Sequence, residues 1–314
     1  MDASTVALLL PSCFFALYLI LEAADWGLCL AAPLTCRSRE ENKAVLSLLR
    51  PCLDGNELWF FMGFFMLSAV LPDMKNTGMH AWYMCMVALV AGGAVLRMAA
   101  VFLMKQCSSP AVMKCLSAFA FLALFLTGLL GTFILMKDGE LVTVSGITAG
   151  LWTVLACFQI GSLYGAVKVV NPLGERFRAA FLVSSCLSAL LYVIFAIALR
   201  SALGDAWQVS GYFWMSLIAT ALLFFAAFFL TRSRHPGPGL AVAYASSFFA
   251  IAMYFSAYVI VIPSIHPLDL EALKTAMAGI QATAYLVVAA IWSLGTFGWR
   301  LCRKKVEYDW KDHI

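Results

Sequence analysis

Long apolar stretches separated by short polar connections run along the chain. Nine of them approach or exceed the roughly 20 residues that a helix needs to cross the hydrocarbon layer of a membrane. They cover approximately residues 6–32, 54–71, 80–104, 115–136, 146–170, 179–199, 211–230, 240–261 and 275–299. None of them alternates polar and apolar residues as the strands of a membrane β-barrel do. The pattern predicts an all-α polytopic membrane protein with about nine transmembrane helices.

The composition supports this prediction. The 314 residues are 63% hydrophobic and 12% charged, with a mean hydropathy of +0.90, whereas soluble domains carry about 25% charged residues. These values exclude a cytosolic globular protein, a disordered chain and a small secreted domain held by disulfides. We therefore expect the lipid bilayer to surround the protein, and we expect no nucleic acid among its partners.

The positive charges predict an orientation. Most of the 21 Lys and Arg residues lie in every second connection and in the C-terminal tail. Since such residues favour the cytoplasmic side, we expect the N-terminus outside and the C-terminus in the cytoplasm. The turn Lys137–Glu140 is the best candidate for an internal boundary. It would separate a first four-helix bundle (1–137) from a second (138–262), followed by a ninth helix with a basic tail (263–314).

Three charged residues lie well inside apolar stretches: Glu22, Asp25 and Arg97. Each costs at least about 2.5–3.5 kcal/mol within a membrane and therefore requires an explanation. In the second helix, the uninterrupted apolar run 58–71 is too short to span the membrane. We therefore expect this helix to begin near Leu53, which brings two further acids to the membrane boundary, Asp54 and Glu57.

The predicted orientation brings these five residues to one depth, on the cytoplasmic side. The acids form two pairs at i, i+3 spacing, so that each pair shares a helix face. In one interpretation, Arg97 pairs with one acid and the others extend to the interface. In the other, which we favour, the group is a proton-conducting or cation-binding cluster in which some acids hold protons. Asp25 and Asp54 are the expected carriers.

The sequence predicts no complete catalytic centre. The four histidines lie at span ends, in a connection or in the tail, and the ten cysteines contain no CxxC pair. No haem-attachment, dinucleotide or phosphate-loop motif is present. We therefore expect neither a metal ligand nor a haem ligand on this chain.

Two segments carry a family resemblance: LEAADWG at 21–27 and RPCLDGNELW at 50–59. They resemble subunit II of the cytochrome bd quinol oxidases, which has an acidic-x-x-Asp-x-Gly pattern in its first helix and Pro-x-x-Asp-Gly-Asn-x-x-Trp at the start of its second. Pro72 and Arg97 also resemble the family, whereas Ala23 replaces a usual glycine. The specific match covers about the first hundred residues.

The resemblance implies a fold of two four-helix bundles plus one peripheral helix. It also implies a partner, the haem-bearing subunit I, which holds two b-type haems and one d-type haem and oxidises quinol. Subunit II would stabilise the complex in a bacterial or archaeal cytoplasmic membrane and help carry protons to the oxygen-reducing haem, generating a proton-motive force. Small single-helix subunits and a structural quinone are further possible components. The second motif adds three candidate residues: Gly55, Asn56 and Trp59.

The alternative function is a stand-alone proton- or cation-coupled transporter. Such transporters usually contain a broken helix in each of two repeats. Gly92 and Gly93 interrupt the third span, and we find no counterpart elsewhere. A purely structural anchor would leave the five intramembrane charges unexplained. The oxidase subunit is therefore the preferred hypothesis.

Overall fold

The computed structural model describes residues 3–50, 54–71, 79–103, 108–135, 142–170, 172–203, 211–278 and 280–307. Within these ranges the chain is almost entirely helical. Its helices are α1 (Ala3–Thr35), α2 (Arg39–Leu48), α3 (Asn56–Val70), α4 (Met79–Phe102), α5 (Pro110–Ile134), α6 (Val144–Lys168), α7 (Leu173–Leu203), α8 (Gly211–Arg232), α9 (Pro236–Ile265), α10 (Leu270–Met277) and α11 (Ile280–Cys302).

Eight of the described helices are long and apolar enough to cross a membrane, namely α1, α4 to α9 and α11. The apolar helix α3 has 15 residues and is about 22 Å long at 1.5 Å per residue. These nine helices correspond to the nine predicted stretches, and the all-α polytopic membrane fold is confirmed. The short helices α2 and α10 lie between them in the chain and were not predicted. Pro72 and the candidate boundary at 137–140 lie outside the described residues.

The start of α3 differs from the prediction. The helix begins at Asn56, three residues after the expected Leu53, which is itself outside the described residues. Gly55 precedes it with a φ of +79°, a left-handed conformation that favours glycine. The Asn56 amide donates to Asp54 Oδ1 at 3.1 Å and closes this turn. The turn delays the helix, yet Asp54 is still fully buried.

Helix α1 lies at the centre of the structure and packs against α3, α5, α6 and α9. At its crossing with α6, a Cβ on Gly27 would overlap the carbonyl oxygen of Cys157, and a Cβ on Gly161 would overlap the backbone of Gly27. Two glycines therefore permit direct backbone contact between α1 and α6. Elsewhere α6 packs on α7 and α8 packs on α9. Helix α11 is peripheral, and only 17% of its apolar window is buried.

The connections that the sequence predicts to be cytoplasmic meet at one end of the helices. In α2, Glu41 pairs with Arg176 of α7, and Asn42 Nδ2 donates to the carbonyl oxygen of Ser108, which precedes α5, at 2.9 Å. The segment after α11 joins the same end, since the guanidinium of Arg303 donates to the carbonyl oxygen of Ser47 at 2.7 Å. These contacts gather α7, the residue pair before α5 and the segment after α11 around α2.

Candidate functional site

Three predicted acids meet the predicted arginine in the interior. Glu22 and Asp25 lie one turn apart on α1, Glu57 lies in the first turn of α3, and Arg97 projects from α4. One Arg97 nitrogen bonds to Glu22 and lies 3.6 Å from Asp25 Oδ2, while the other lies 2.7 Å from Glu57 Oε1. The side chains of Glu22, Asp25 and Arg97 are fully buried, and that of Glu57 is 15% exposed. The other interpretation required the acids not paired with Arg97 to extend to the interface, whereas Asp25 is fully buried and Glu57 is only partly exposed.

A second arginine, Arg300, was missed by the sequence analysis. It lies in the last turn of α11 and is buried. Its Nη1 lies 2.6 Å from Asp25 Oδ2, and its Nη2 lies 3.0 Å from Asp54 Oδ2. By the charge pattern alone it belongs to the basic residues of the predicted cytoplasmic tail. Its position in the sequence could have indicated this role, because Arg300 lies at the end of the ninth apolar stretch, at the same predicted depth as the acids.

The turn before α3 connects Asp54 to the rest of the cluster. Asn56, whose amide bonds to Asp54, also donates from Nδ2 to Glu22 Oε2 at 2.9 Å. Gly55, which lies between Asp54 and Asn56, packs closely against α11, because a Cβ on Gly55 would lie 3.1 Å from Cγ of Trp292. Gly55 and Asn56 therefore hold the Asp54 carboxylate beside the acids of α1.

Three hydrogen bonds join α11 to the beginning of α3 and the turn before it, the first from the hydroxyl of Tyr285 to the carbonyl oxygen of Leu58 at 3.2 Å. The indole of Trp59 donates to Ser293 Oγ at 2.8 Å. The hydroxyl of Thr296 donates to the backbone carbonyl of Asp54 at 3.0 Å. With Arg300, these residues form one polar side of an otherwise apolar helix. The peripheral helix thus contributes directly to the cluster.

Trp26 provides an aromatic wall for Arg97. The guanidinium carbon lies 5.4 Å from the centre of the indole ring, a distance typical of a cation–π interaction. The indole nitrogen donates to the hydroxyl of Tyr18 at 3.0 Å. Gly93, one turn before Arg97, provides the room for this ring, since a Cβ there would overlap it. The arginine is therefore held by an aromatic ring as well as by acids.

We call the six side chains Glu22, Asp25, Asp54, Glu57, Arg97 and Arg300 the charge cluster. With all acids ionised, its formal charge would be −2, which favours the uptake of protons in a medium of low dielectric constant. Glu22, Asp25 and Asp54 each offer an oxygen within 4.8 Å of the others, and one water molecule can bridge such a distance. A metal ion at these oxygens would face two guanidinium groups that already occupy them. The arrangement is better suited to sharing protons.

The fold and the site define a multi-pass membrane protein with a buried, acid-rich charge cluster. The sequence matches the family described as cytochrome bd terminal oxidase subunit II over residues 3–298. The chain belongs to this family and is a subunit of a cytochrome bd oxidase, in the cytoplasmic membrane.

A solved structure shows the same fold. A chain of the bd oxidase from Geobacillus thermodenitrificans superimposes with a TM-score of 0.66, covering 96% of this chain and 97% of that one, at 13% sequence identity. Comparison with functionally curated proteins gives no significant match.

Proposed function

We propose that this chain is the haem-free subunit II of a quinol:oxygen oxidoreductase and that its charge cluster carries cytoplasmic protons toward the oxygen-reducing site of subunit I. The observation that carries this proposal is the buried cluster of four acids and two arginines. Its position at the predicted cytoplasmic end supports proton uptake from that side. Quinol would release its protons on the opposite side, and the reaction would thereby generate a proton-motive force.

Protons reach the cluster at Glu57, its partly exposed acid. From there they pass among Glu22, Asp25 and Asp54, whose oxygens lie close enough for exchange through rotation or a bridging water. Asp25 Oδ1 has no hydrogen-bond partner among the described residues, so it can accept a proton without breaking an existing bond. Arg97 and Arg300 limit how many acids are protonated at once, because each stabilises an ionised neighbour.

The haems belong to the partner subunit in this proposal, together with the quinol site. Haem iron requires an axial ligand such as histidine. Among the described residues, His80 and His235 are exposed, and His266 lies beyond the end of α9, where its Nε2 contacts the carbonyl oxygen of Ile134. Such positions do not suit a haem in the membrane interior. A structural quinone and small single-helix subunits are further components that the family resemblance implies.

Purification of the tagged chain in mild detergent tests the proposed partner. We expect a second membrane chain in equal amount and b- and d-type haem bands in the reduced-minus-oxidised spectrum. A colourless eluate containing this chain alone would contradict the proposal. Transport driven by a proton gradient would then be the next assay.

Asp54→Asn tests the proposed proton path. The amide keeps the shape of the side chain but cannot exchange a proton, so quinol-driven oxygen consumption should fall about tenfold, which corresponds to about 1.4 kcal/mol. The haem spectrum should be unchanged. Glu175→Gln is the matched control, because Glu175 is exposed and pairs only with Arg178 in the described contacts. Equal turnover in the two variants would remove Asp54 from the path.

A further inference from the structure

We propose that the segment after α11 positions Arg300 in the charge cluster and that Lys168 fastens this segment. We call residues Arg303–Glu307 the C-terminal strap. The inference rests on the proposed function, because it assigns to the strap a role in setting the proton affinity of the cluster. Lys168 is a positioning residue in this view, since it acts through Arg300.

The strap runs along the end of α6. Val306 forms a parallel bridge with Val169. The Val306 amide donates to the Lys168 carbonyl at 2.7 Å, and the Val170 amide donates to the Val306 carbonyl at 3.4 Å. Among the described residues this is the one place where strand-like pairing occurs. The chain is thus fixed to α6 within six residues of Arg300.

Lys168 also closes the end of α11 directly. Its Nζ donates to the carbonyl oxygens of Leu301 at 2.8 Å and Arg303 at 2.7 Å. The last carbonyls of a helix lack partners within the helix and carry partial negative charge, so a lysine ammonium is a favourable partner for them. Lys168 is itself 6% exposed. Leu301 follows Arg300 in the chain, and the lysine therefore anchors the residue next to the arginine.

The packing of α11 alone does not fix the arginine. Most side chains of this helix face outward, and the Cβ positions of Gly295 and Gly298 would have no neighbour within 4 Å. A displacement of about 1 Å would break the 2.6 Å contact between Arg300 and Asp25. Polar contacts of the strap, Tyr285, Ser293 and Thr296 hold the helix in place.

The acids bound by Arg300 face charges from several helices. Asp25 is influenced by Arg97 and Glu22, and its own charge acts on Tyr164 of α6 and Tyr244 of α9. Asp54 is influenced by Arg97, Asp25, Glu22 and Glu57. Most of these neighbours are acids. Removing the positive charge of Arg300 therefore destabilises the ionised forms of Asp25 and Asp54 and favours their protonated forms. The acids should then lose their protons at higher pH.

The test uses the intact oxidase complex with four variants: Arg300→Gln, Arg300→Lys, Lys168→Met and Lys305→Met. Infrared spectroscopy follows the protonated carboxyl groups as the pH is varied, and oxygen consumption is measured over the same range. Arg300→Gln should shift both profiles to higher pH by about one unit, equivalent to a tenfold change in proton affinity. Arg300→Lys keeps the positive charge, so its two profiles should remain close to those of the original protein. Lys168→Met should shift both profiles to higher pH as well, but by less than Arg300→Gln does.

Lys305→Met is the matched control, because Lys305 is an exposed residue of the same strap. It should shift neither profile. The double variant Lys168→Met/Arg300→Gln should shift no further than Arg300→Gln, since both changes act through the same guanidinium. Should Lys168→Met fail to assemble, Val306→Pro removes the amide that donates to the backbone carbonyl of Lys168 and tests the attachment of the strap to α6 through a different contact.

Three results separate the possible failures. An unchanged infrared profile in Lys168→Met and Val306→Pro, beside a shifted one in Arg300→Gln, would overturn the positioning role. Unchanged infrared profiles in all variants would show that Arg300 does not set the proton affinity of the acids. A shifted infrared profile with an unchanged oxygen-consumption profile would retain this inference and reject the proposed proton path.

Discussion

Two buried polar regions of this protein differ in the charge that they contain. The charge cluster holds ionisable side chains from α1, the beginning of α3, α4 and α11. The interior between α6, α7, α8 and α9 contains a cavity of about 370 Å3, and its polar lining among the described residues is neutral. That lining includes Gln159, Ser188, Thr220 and Ser246.

Two serines in or near the neutral region bond separately to backbone carbonyls, whereas the charges depend on one another. Ser246 Oγ donates to the carbonyl oxygen of Thr220 at 2.9 Å, and Ser185 Oγ donates to that of Phe181 at 2.7 Å. Each such bond uses a backbone carbonyl that the helix already provides. In the cluster, by contrast, Arg97 bonds to acids of two other helices. The cluster therefore ties together the positions of several helices, and we expect the neutral region to tolerate the loss of single contacts.

Removal of Arg97 should have the largest effect. Arg97→Leu leaves Glu22 and Glu57 without their partner, and loss of one member of a buried ion pair costs about 3–5 kcal/mol. We expect little assembled oxidase after size-exclusion chromatography in detergent. Arg232→Leu, which changes an exposed arginine at the end of α8, is the control. Normal recovery of the Arg97→Leu complex would show that the helices do not depend on the cluster.

Gly27→Ala tests the junction between the two regions. A methyl group at the crossing of α1 and α6 would overlap Cys157, and such overpacking typically costs about 1–3 kcal/mol. We expect a lower Tm of the purified complex, followed through loss of its haem spectrum. Gly298→Ala is the control, because nothing lies within 4 Å of its Cβ position. An equal Tm in both variants would mean that the two helices can separate without cost.

Ser246→Ala should have the smallest effect. It removes one hydrogen bond between helices in the neutral region, and such bonds contribute about 0.6 kcal/mol on average in membrane proteins. We expect a small decrease in Tm and unchanged oxygen consumption. A tenfold loss of turnover would contradict the comparison, because it would give the neutral region a direct part in the reaction.

The sequence predicted the helical membrane fold and the meeting of Glu22, Asp25, Asp54, Glu57 and Arg97. It could do so because charged residues are rare in apolar stretches and the order of the spans gives their depth. Arg300 was missed because an arginine at the end of a span is also the ordinary signal for a cytoplasmic connection.

Two further features required the coordinates. The late start of α3 depends on the left-handed turn at Gly55, which a hydropathy pattern does not record. The partners of Lys168 are backbone carbonyls more than 130 residues away in the chain. Every residue has a backbone carbonyl, so residue types do not indicate which carbonyls accept from Lys168, and this contact was not predictable from the sequence.

The ion pair between α1 and α11 has a consequence for biosynthesis. Asp25 and Arg300 are 275 residues apart. At about 5–20 residues per second, the ribosome delivers the arginine roughly 14 to 55 seconds after the aspartate. During that interval the newly inserted α1 contains an acid whose closest cation has not yet been made. Its neutralisation must come from Arg97, from a bound proton or from the insertion machinery, so the charge cluster is completed only when α11 enters the membrane.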